Sequence, residues 1–299
     1  TILFLFWTIT HLAKKLVVAG DKISESQIWT IIGSGFIGAM AYAFTDTFWF
    51  SAVEGEVYAT SSLFTAVVFW CVLKWENEEG KAYANRWLIL IAYLMGLSIG
   101  VHLLNLLAIP AIVMVYYFKK YEPSRNGVLK ALGVALLLLG GAMYVIIPGV
   151  VKLAFVFDLF FVNVIGLPFN SGAYVFIILL ISGLVFGIRY TISHGKVVLN
   201  TLLTALTVVR IGYSSYSLIM IRSAANPGLD QNNPEDLFSL LYYLNREQYG
   251  DNPLVYGEYF NAPYDEKESY VDGKDVYIKK DGKYVVSYTP KKPNYSSSY

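Results

Sequence analysis

For roughly its first 221 residues the chain is a series of long apolar runs separated by short polar breaks, and after Arg222 that pattern ends. The runs fall at residues 1–19, 28–45, 59–75, 87–101, 103–118, 129–150, 173–190 and 197–221. A helix crosses a bilayer with about 20 mostly apolar residues, so these runs predict about eight spans. Hydrocarbon offers the backbone no hydrogen-bonding partner, so runs of this length must be helical. Composition agrees: 56% of residues are hydrophobic and 15% charged, against about 45–50% and about 25% in soluble domains. The fold class is therefore an α-helical polytopic membrane protein over residues 1–222, followed by a soluble α/β extension over 223–299. Residues 151–172 are apolar but interrupted by Asp158, Asn163, Gly166 and Pro168. They read as a re-entrant or interfacial piece, because irregular backbone survives at membrane depth only inside protein or along a cavity.

Several classes of function drop out. A net charge of +1 gives no reason to expect nucleic acid as a partner. The one cysteine, Cys71, excludes an internal disulfide framework and a cysteine metal site. There is no Walker phosphate loop and no His-Glu-x-x-His, so an ATP-driven pump and a zinc protease are not indicated. No internal repeat of the transporter kind is visible. The chain opens at Thr1 inside an apolar segment, with neither an initiator methionine nor a signal-peptide pattern, and reads as a piece of a longer protein.

Charge sets the expected orientation. Taking the breaks alternately, one set holds Lys14, Lys15 and Lys22; Lys74, Lys81 and Arg86; Lys119, Lys120, Arg125 and Lys130; and Arg189 and Lys196. The other set, up to the last span, holds only Lys152. Lys and Arg collect on the cytoplasmic side, so the first set is expected there, in an inner (plasma) membrane protein with its C-terminal tail outside the cytoplasm. The outer face then carries most of the polar residues whose chemistry needs explaining.

The densest group is Asp46-Thr-Phe-Trp-Phe-Ser-Ala-Val-Glu54-Gly-Glu56-Val-Tyr58. In extended backbone Glu54 and Glu56 point the same way. Two close carboxylates can bind a divalent cation, or raise one pKa so that one acts as a general base. The plain alternative is a solvated loop with Trp49 and Tyr58 as interfacial aromatics. His102, with Asn105 one turn on, sits in the next outer turn, either as a catalytic pair or as polar turn residues. Arg210 lies inside the last apolar run, where a cation is functional or paired unless the span ends early. Arg222 stands where the chain leaves the bilayer, just before Asn226, and suits a phosphate or simple anchoring equally.

The tail reads as folded. Asn233-Pro-Glu-Asp236 suggests a helix start with Asn233 as the cap, followed by a stripe of Leu237, Leu240, Leu241 and Leu244 closed by Gly250. Val271-Asp-Gly-Lys274 and Lys280-Asp-Gly-Lys283 read as hairpin turns between strands.

On these runs, and on Gly96-Leu97 through His102 and Asn105, Gly212-Tyr-Ser-Ser-Tyr216, Ile221-Arg222-Ser with Asn226-Pro227, and Asn232-Asn-Pro-Glu235, the chain resembles a known family. It is similar to bacterial members of the family that includes the eukaryotic transmembrane protein O-mannosyltransferase, within the GT-C glycosyltransferases. The resemblance implies a multi-span GT-C fold and transfer of a sugar, plausibly mannose, from a polyprenyl-phosphate carrier to a protein or glycan acceptor outside the cytoplasm. It implies catalytic roles for Glu54, Glu56 and His102. It also implies donor or acceptor contacts for Asp46, Trp49, Tyr58, Asn105, Arg210, Arg222 and Asn226, with no assigned metal ligand. It further implies that the leading acid of the family sits before Thr1, which would leave this chain inactive alone, and that the exterior domain continues past Tyr299. Two other classes stay open from the residues: a secondary transporter, suggested by Arg210 and the broken 151–172 stretch, and a non-enzymatic scaffold held by the tail.

Overall fold

A computed structural model describes residues 1–299 except Asp21, 251–256 and 296–299. The chain divides into two compact units, Thr1–Met143 with Leu184–Ser217, and Tyr144–Gly183 with Leu218–Tyr299.

The first unit is a helical bundle. It contains α1 (Ile2–Val17), α2 (Glu25–Ala43), α3 (Asp46–Val53), α4 (Tyr58–Glu78), α5 (Arg86–Ile99), α6 (Ala108–Lys120), α7 (Arg125–Gly140) and α10 (Val197–Tyr213). Ser24 and Gln27 form a reciprocal capping box at the start of α2, and Ser124 caps α7, so these helix starts are written locally in the sequence. The core lies along α4 and α5, with Val68, Cys71, Val72, Trp75, Ile91 and Met95 buried. The closest crossing joins α5 and α10: a Cβ on Gly96 would lie 2.3 Å from the carbonyl oxygen of Val209, and one on Gly212 2.6 Å from the amide of Leu97. Only glycine lets two backbones approach that closely, the device by which membrane helices gain contact without a hydrophobic driving force. At one end of the bundle Lys15 pairs with Glu76, Arg86 with Glu78 at 2.9 Å, and Lys120 with Glu79. Three of the breaks read above as one positive set thus do share an end.

The count of about eight spans is not reached. Among the described residues five helical runs are long and apolar enough to cross a bilayer: Tyr58–Glu78, Leu103–Lys120, Arg125–Ile165, Ser171–Ser193 and Val197–Ser223. A sixth is possible if α2 and α3, bent by 65°, are taken as one broken span. The run read at 87–101 yields a helix of only 14 residues, below the usual minimum of about 17. The segment 46–53 is also a helix, capped by Thr45, where a loop with extended backbone was expected.

The second unit corrects the reading of 151–172. No re-entrant break occurs there: α8 (Ile147–Phe160) runs into a π-helical turn, Phe161–Ile165, that ends on Gly166 at φ 83°. The tail covers the apolar face of α8. Phe155 and Val162 are buried with Tyr284, and Leu159, Phe169, Leu237, Phe238 and Tyr277 pack around them. Asp158, wholly buried, accepts from the Asn170 and Gly172 amides, each at 3.0 Å, and from the Tyr284 hydroxyl at 2.8 Å. The Asn163 side chain bonds the Tyr284 backbone in both directions, at 2.7 and 2.9 Å. The two polar residues that interrupt the apolar run are therefore clamps for the tail.

Within the tail, α12 (Leu237–Leu244) carries the expected leucine stripe, but its cap is Asp236, whose carboxylate accepts from the Ser239 amide at 2.9 Å. Asn233 is turned to φ 40° beside the buried Pro234 and its side-chain oxygen accepts from Ser223 instead. The helix ends at Leu244; Gly250 closes a separate short turn, Glu247–Tyr249. Strands β2 (Val276–Lys280) and β3 (Lys283–Tyr288) form the expected hairpin, with Asp281 and Gly282 both at positive φ. The other proposed hairpin does not exist: β1 (Tyr270–Asp272) pairs antiparallel with β4 (Lys291–Pro293), and the Gly273 amide bonds the Pro290 carbonyl at 2.7 Å.

Candidate functional site

In the first unit the run Glu54-Gly-Glu56 joins α3 to α4 through a bend, and both carboxylates are solvent-exposed. Asp46 opens α3, where a negative charge complements the helix N-terminus. Trp49 is 55% exposed, with its ring stacked on Phe44 at 6.3 Å. Such an aromatic face belongs at a membrane–water boundary. Tyr58 begins α4 and its ring meets the His102 ring at 5.5 Å between centroids. That contact brings the Glu54–Tyr58 segment and the turn after α5 together.

His102 caps the 3-10 turn Leu103–Leu107: its Nδ1 accepts the Leu104 amide at 3.1 Å. A ring nitrogen that accepts carries no proton, so the neutral imidazole holds its proton on Nε2. His102 is thereby a donor at Nε2, suited to a sugar hydroxyl or phosphate oxygen and poorly suited to take a proton there. Asn105 is fully buried; its side-chain nitrogen donates to Ser98 at 3.0 Å and lies 3.1 Å from the Met95 sulfur. It braces the turn that carries His102 from below. Ser98 sits in Gly96-Leu-Ser-Ile-Gly100, which matches the letters Gly-x-Ser-x-Gly of a hydrolase nucleophile. That motif needs a strand-to-helix elbow, whereas Ser98 is buried inside α5 with its hydroxyl on the Met95 carbonyl at 2.8 Å.

Beside this cluster a cleft of about 500 Å³ opens between α1, α2 and α4. Leu5, Ile9, Phe69 and Leu104 line it, together with the hydroxyls of Tyr42 and Thr65. Its walls come from three separate helices, so no single run of the sequence marks it. Arg210 stands near the middle of the 27-residue run Val197–Ser223, so that run does not stop short of it.

The remaining candidates belong to the second unit. Arg222, in the last turn of α11 (Ser217–Ser223), lines a cavity of about 370 Å³ with Ile219, Pro227, Asp230 and Tyr243. The buried Ser223 hydroxyl reaches Asp230 at 2.7 Å and Asn233 at 3.0 Å, which ties down the loop carrying Asn226 at φ 50°. Among the described residues no group of three or more His, Cys, Asp or Glu side chains is placed to hold a metal ion.

Residues 1–125 match the family model described as the protein O-mannosyl-transferase TMEM260 N-terminal domain, and residues 250–299 match a family of unknown function (DUF8416). The first match bears out the resemblance over the part of the chain holding Asp46 to Tyr58, His102 and Asn105. No curated protein and no solved structure matches the chain.

Proposed function

We propose that this chain, whose first 125 residues carry the N-terminal domain of the protein O-mannosyl-transferase family, serves transfer of a sugar from a polyprenyl-phosphate carrier to an acceptor hydroxyl outside the cytoplasm. Mannose is the sugar the family points to. The observation that carries the reading is the Tyr58–His102 contact. It sets a two-carboxylate segment against a hydrogen-bond donor, and Leu104, two residues on, lines an apolar cleft of about 500 Å³.

The reaction is an inverting displacement. The acceptor oxygen forms a bond to the anomeric carbon as the bond from that carbon to the phosphate oxygen breaks. The acceptor proton passes to a carboxylate, and the polyprenyl phosphate leaves with the bonding pair. Donors aimed at the leaving oxygen stabilise the charge that develops there. His102 Nε2–H supplies one such donor, and Glu54 and Glu56 position the acceptor or a divalent cation beside it.

Label from polyprenyl-phosphate-mannose should pass to exterior protein when the full-length protein is supplied in detergent, and Glu56→Gln should lower it by about 10-fold, or about 1.4 kcal/mol of lost positioning. Transfer that survives in Glu56→Gln removes that residue from the site. Absence of transfer with several carrier sugars contradicts the reading. His102→Gln, which keeps a donor near the Nε2 position, should retain more activity than His102→Leu; equal losses would show that the donor is not used.

A further inference from the structure

A second cleft, of about 600 Å³, lies in the first unit between the end of α6 and the start of α7, apart from the Tyr58–His102 cluster. Its apolar lining, taken as the floor, includes Val113, Ala131 and Val134, and its polar lining, taken as the mouth, Tyr116, Tyr121, Glu122 and Lys130. The frame is fixed. The Tyr117 hydroxyl accepts the Ser124 amide at 2.9 Å and donates to the Glu122 carbonyl at 3.2 Å. Gly127 makes room for it, since a Cβ there would stand 2.0 Å from that oxygen.

The charges at the mouth are unspent. Lys120 is paired with Glu79, but among the described residues neither Lys130 nor Glu122 makes a side-chain ion pair. Lys130 lies six residues into the helix from Ser124, a rise of about 9 Å. A lysine there extends its ammonium toward the interface. The ligand must therefore offer an anion to Lys130, a cation to Glu122 and to the tyrosine faces, and hydrocarbon to the floor. A purely anionic headgroup would be repelled by Glu122. A choline headgroup brings a cation to the rings but has no N–H to give the carboxylate.

We propose that this cleft binds a phospholipid with a zwitterionic primary-amine headgroup, of the phosphatidylethanolamine class. The phosphate sits on Lys130, the ammonium donates to Glu122 beside Tyr116 and Tyr121, and an acyl chain follows Val113 and Val134.

The test is native mass spectrometry of the detergent-purified chain with an equimolar mixture of phosphatidylethanolamine, phosphatidylcholine and phosphatidylglycerol of identical acyl chains. The ethanolamine adduct should exceed the glycerol adduct by about tenfold, the equivalent of one hydrogen bond to a charged group. Glu122→Gln should abolish that preference, and Lys130→Ala should reduce all three adducts. Both side chains are exposed, so the variants should keep wild-type helicity and elution volume, which are checked alongside. Phosphatidylglycerol or phosphatidylcholine binding as well as phosphatidylethanolamine, a preference that survives Glu122→Gln, or no lipid adduct would each overturn the proposal.

Discussion

Gly96→Ala and Gly212→Ala should each destabilise the first unit by more than about 3 kcal/mol, at or beyond the upper end of ordinary overpacking. The added methyl has no flexible side chain to push aside. On Gly96 it meets the Val209 carbonyl at 2.3 Å and the Val209 Cα at 2.9 Å; on Gly212 it meets the Leu97 amide at 2.6 Å and the Tyr93 carbonyl at 2.7 Å. Two backbones must separate, and α5 is too short to hold position without its neighbours, having 14 residues. A thermal melt in detergent should show a fall of roughly 6–12 °C, using about 2–4 °C per kcal/mol for chains of this size. Gly33→Ala is the control, because a Cβ there meets nothing within 4 Å. Equal behaviour of Gly212→Ala and Gly33→Ala would mean that the α5–α10 crossing is wider than described.

The second large effect belongs to Asp158. Asp158→Leu removes the acceptor for two backbone amides and the Tyr284 hydroxyl at once, and each buried group left unpaired costs about 1–3 kcal/mol. The β2–β3 hairpin should come away from α8, read as loss of amide hydrogen-exchange protection across Lys283–Tyr288 while the helices of the first unit stay protected. Tyr284→Phe should do less, since the carboxylate keeps two donors. The same contact predicts a pH dependence. Burial, reinforced by the bond to Asp158, pushes the Tyr284 hydroxyl well above its usual value of 10.0. The folded state then holds a proton that the unfolded state releases above that value. Stability from this group is complete below about pH 10 and falls as pH rises further, by about 1.4 kcal/mol per unit. In Tyr284→Phe the alkaline slope should become shallower by that one proton; an unchanged slope would show that Tyr284 contributes none of it.

These residues also show where reading the sequence succeeds and where it stops. Apolar runs of sufficient length became helices, the stripe from Leu237 to Leu244 became α12, and Asp281-Gly282 became a hairpin turn, because each rests on local periodicity or turn chemistry. Asp158 and Asn163 looked like breaks because their partner, Tyr284, lies 126 and 121 residues away. A buried carboxylate and an unsatisfied loop acid look alike until the donors are known. The helix Asp46–Val53 was hidden by its run of aromatics, which show no clear 3.6-residue period. At the candidate site, the residue types from Glu54 to Tyr58 and His102 were legible. The direction in which His102 offers its proton was not, since it depends on the Leu104 amide.

The reading rests on one placement: the sugar carrier is held where Tyr58, His102 and the neighbouring cleft meet. A photoreactive polyprenyl-phosphate-mannose, cross-linked to the full-length protein in membranes and mapped by peptide mass spectrometry, tests this directly. Label should fall on peptides containing Tyr58, Phe69 or Leu104 and be competed away by unlabelled carrier. Label confined to other helices, or unaffected by competitor, would contradict it.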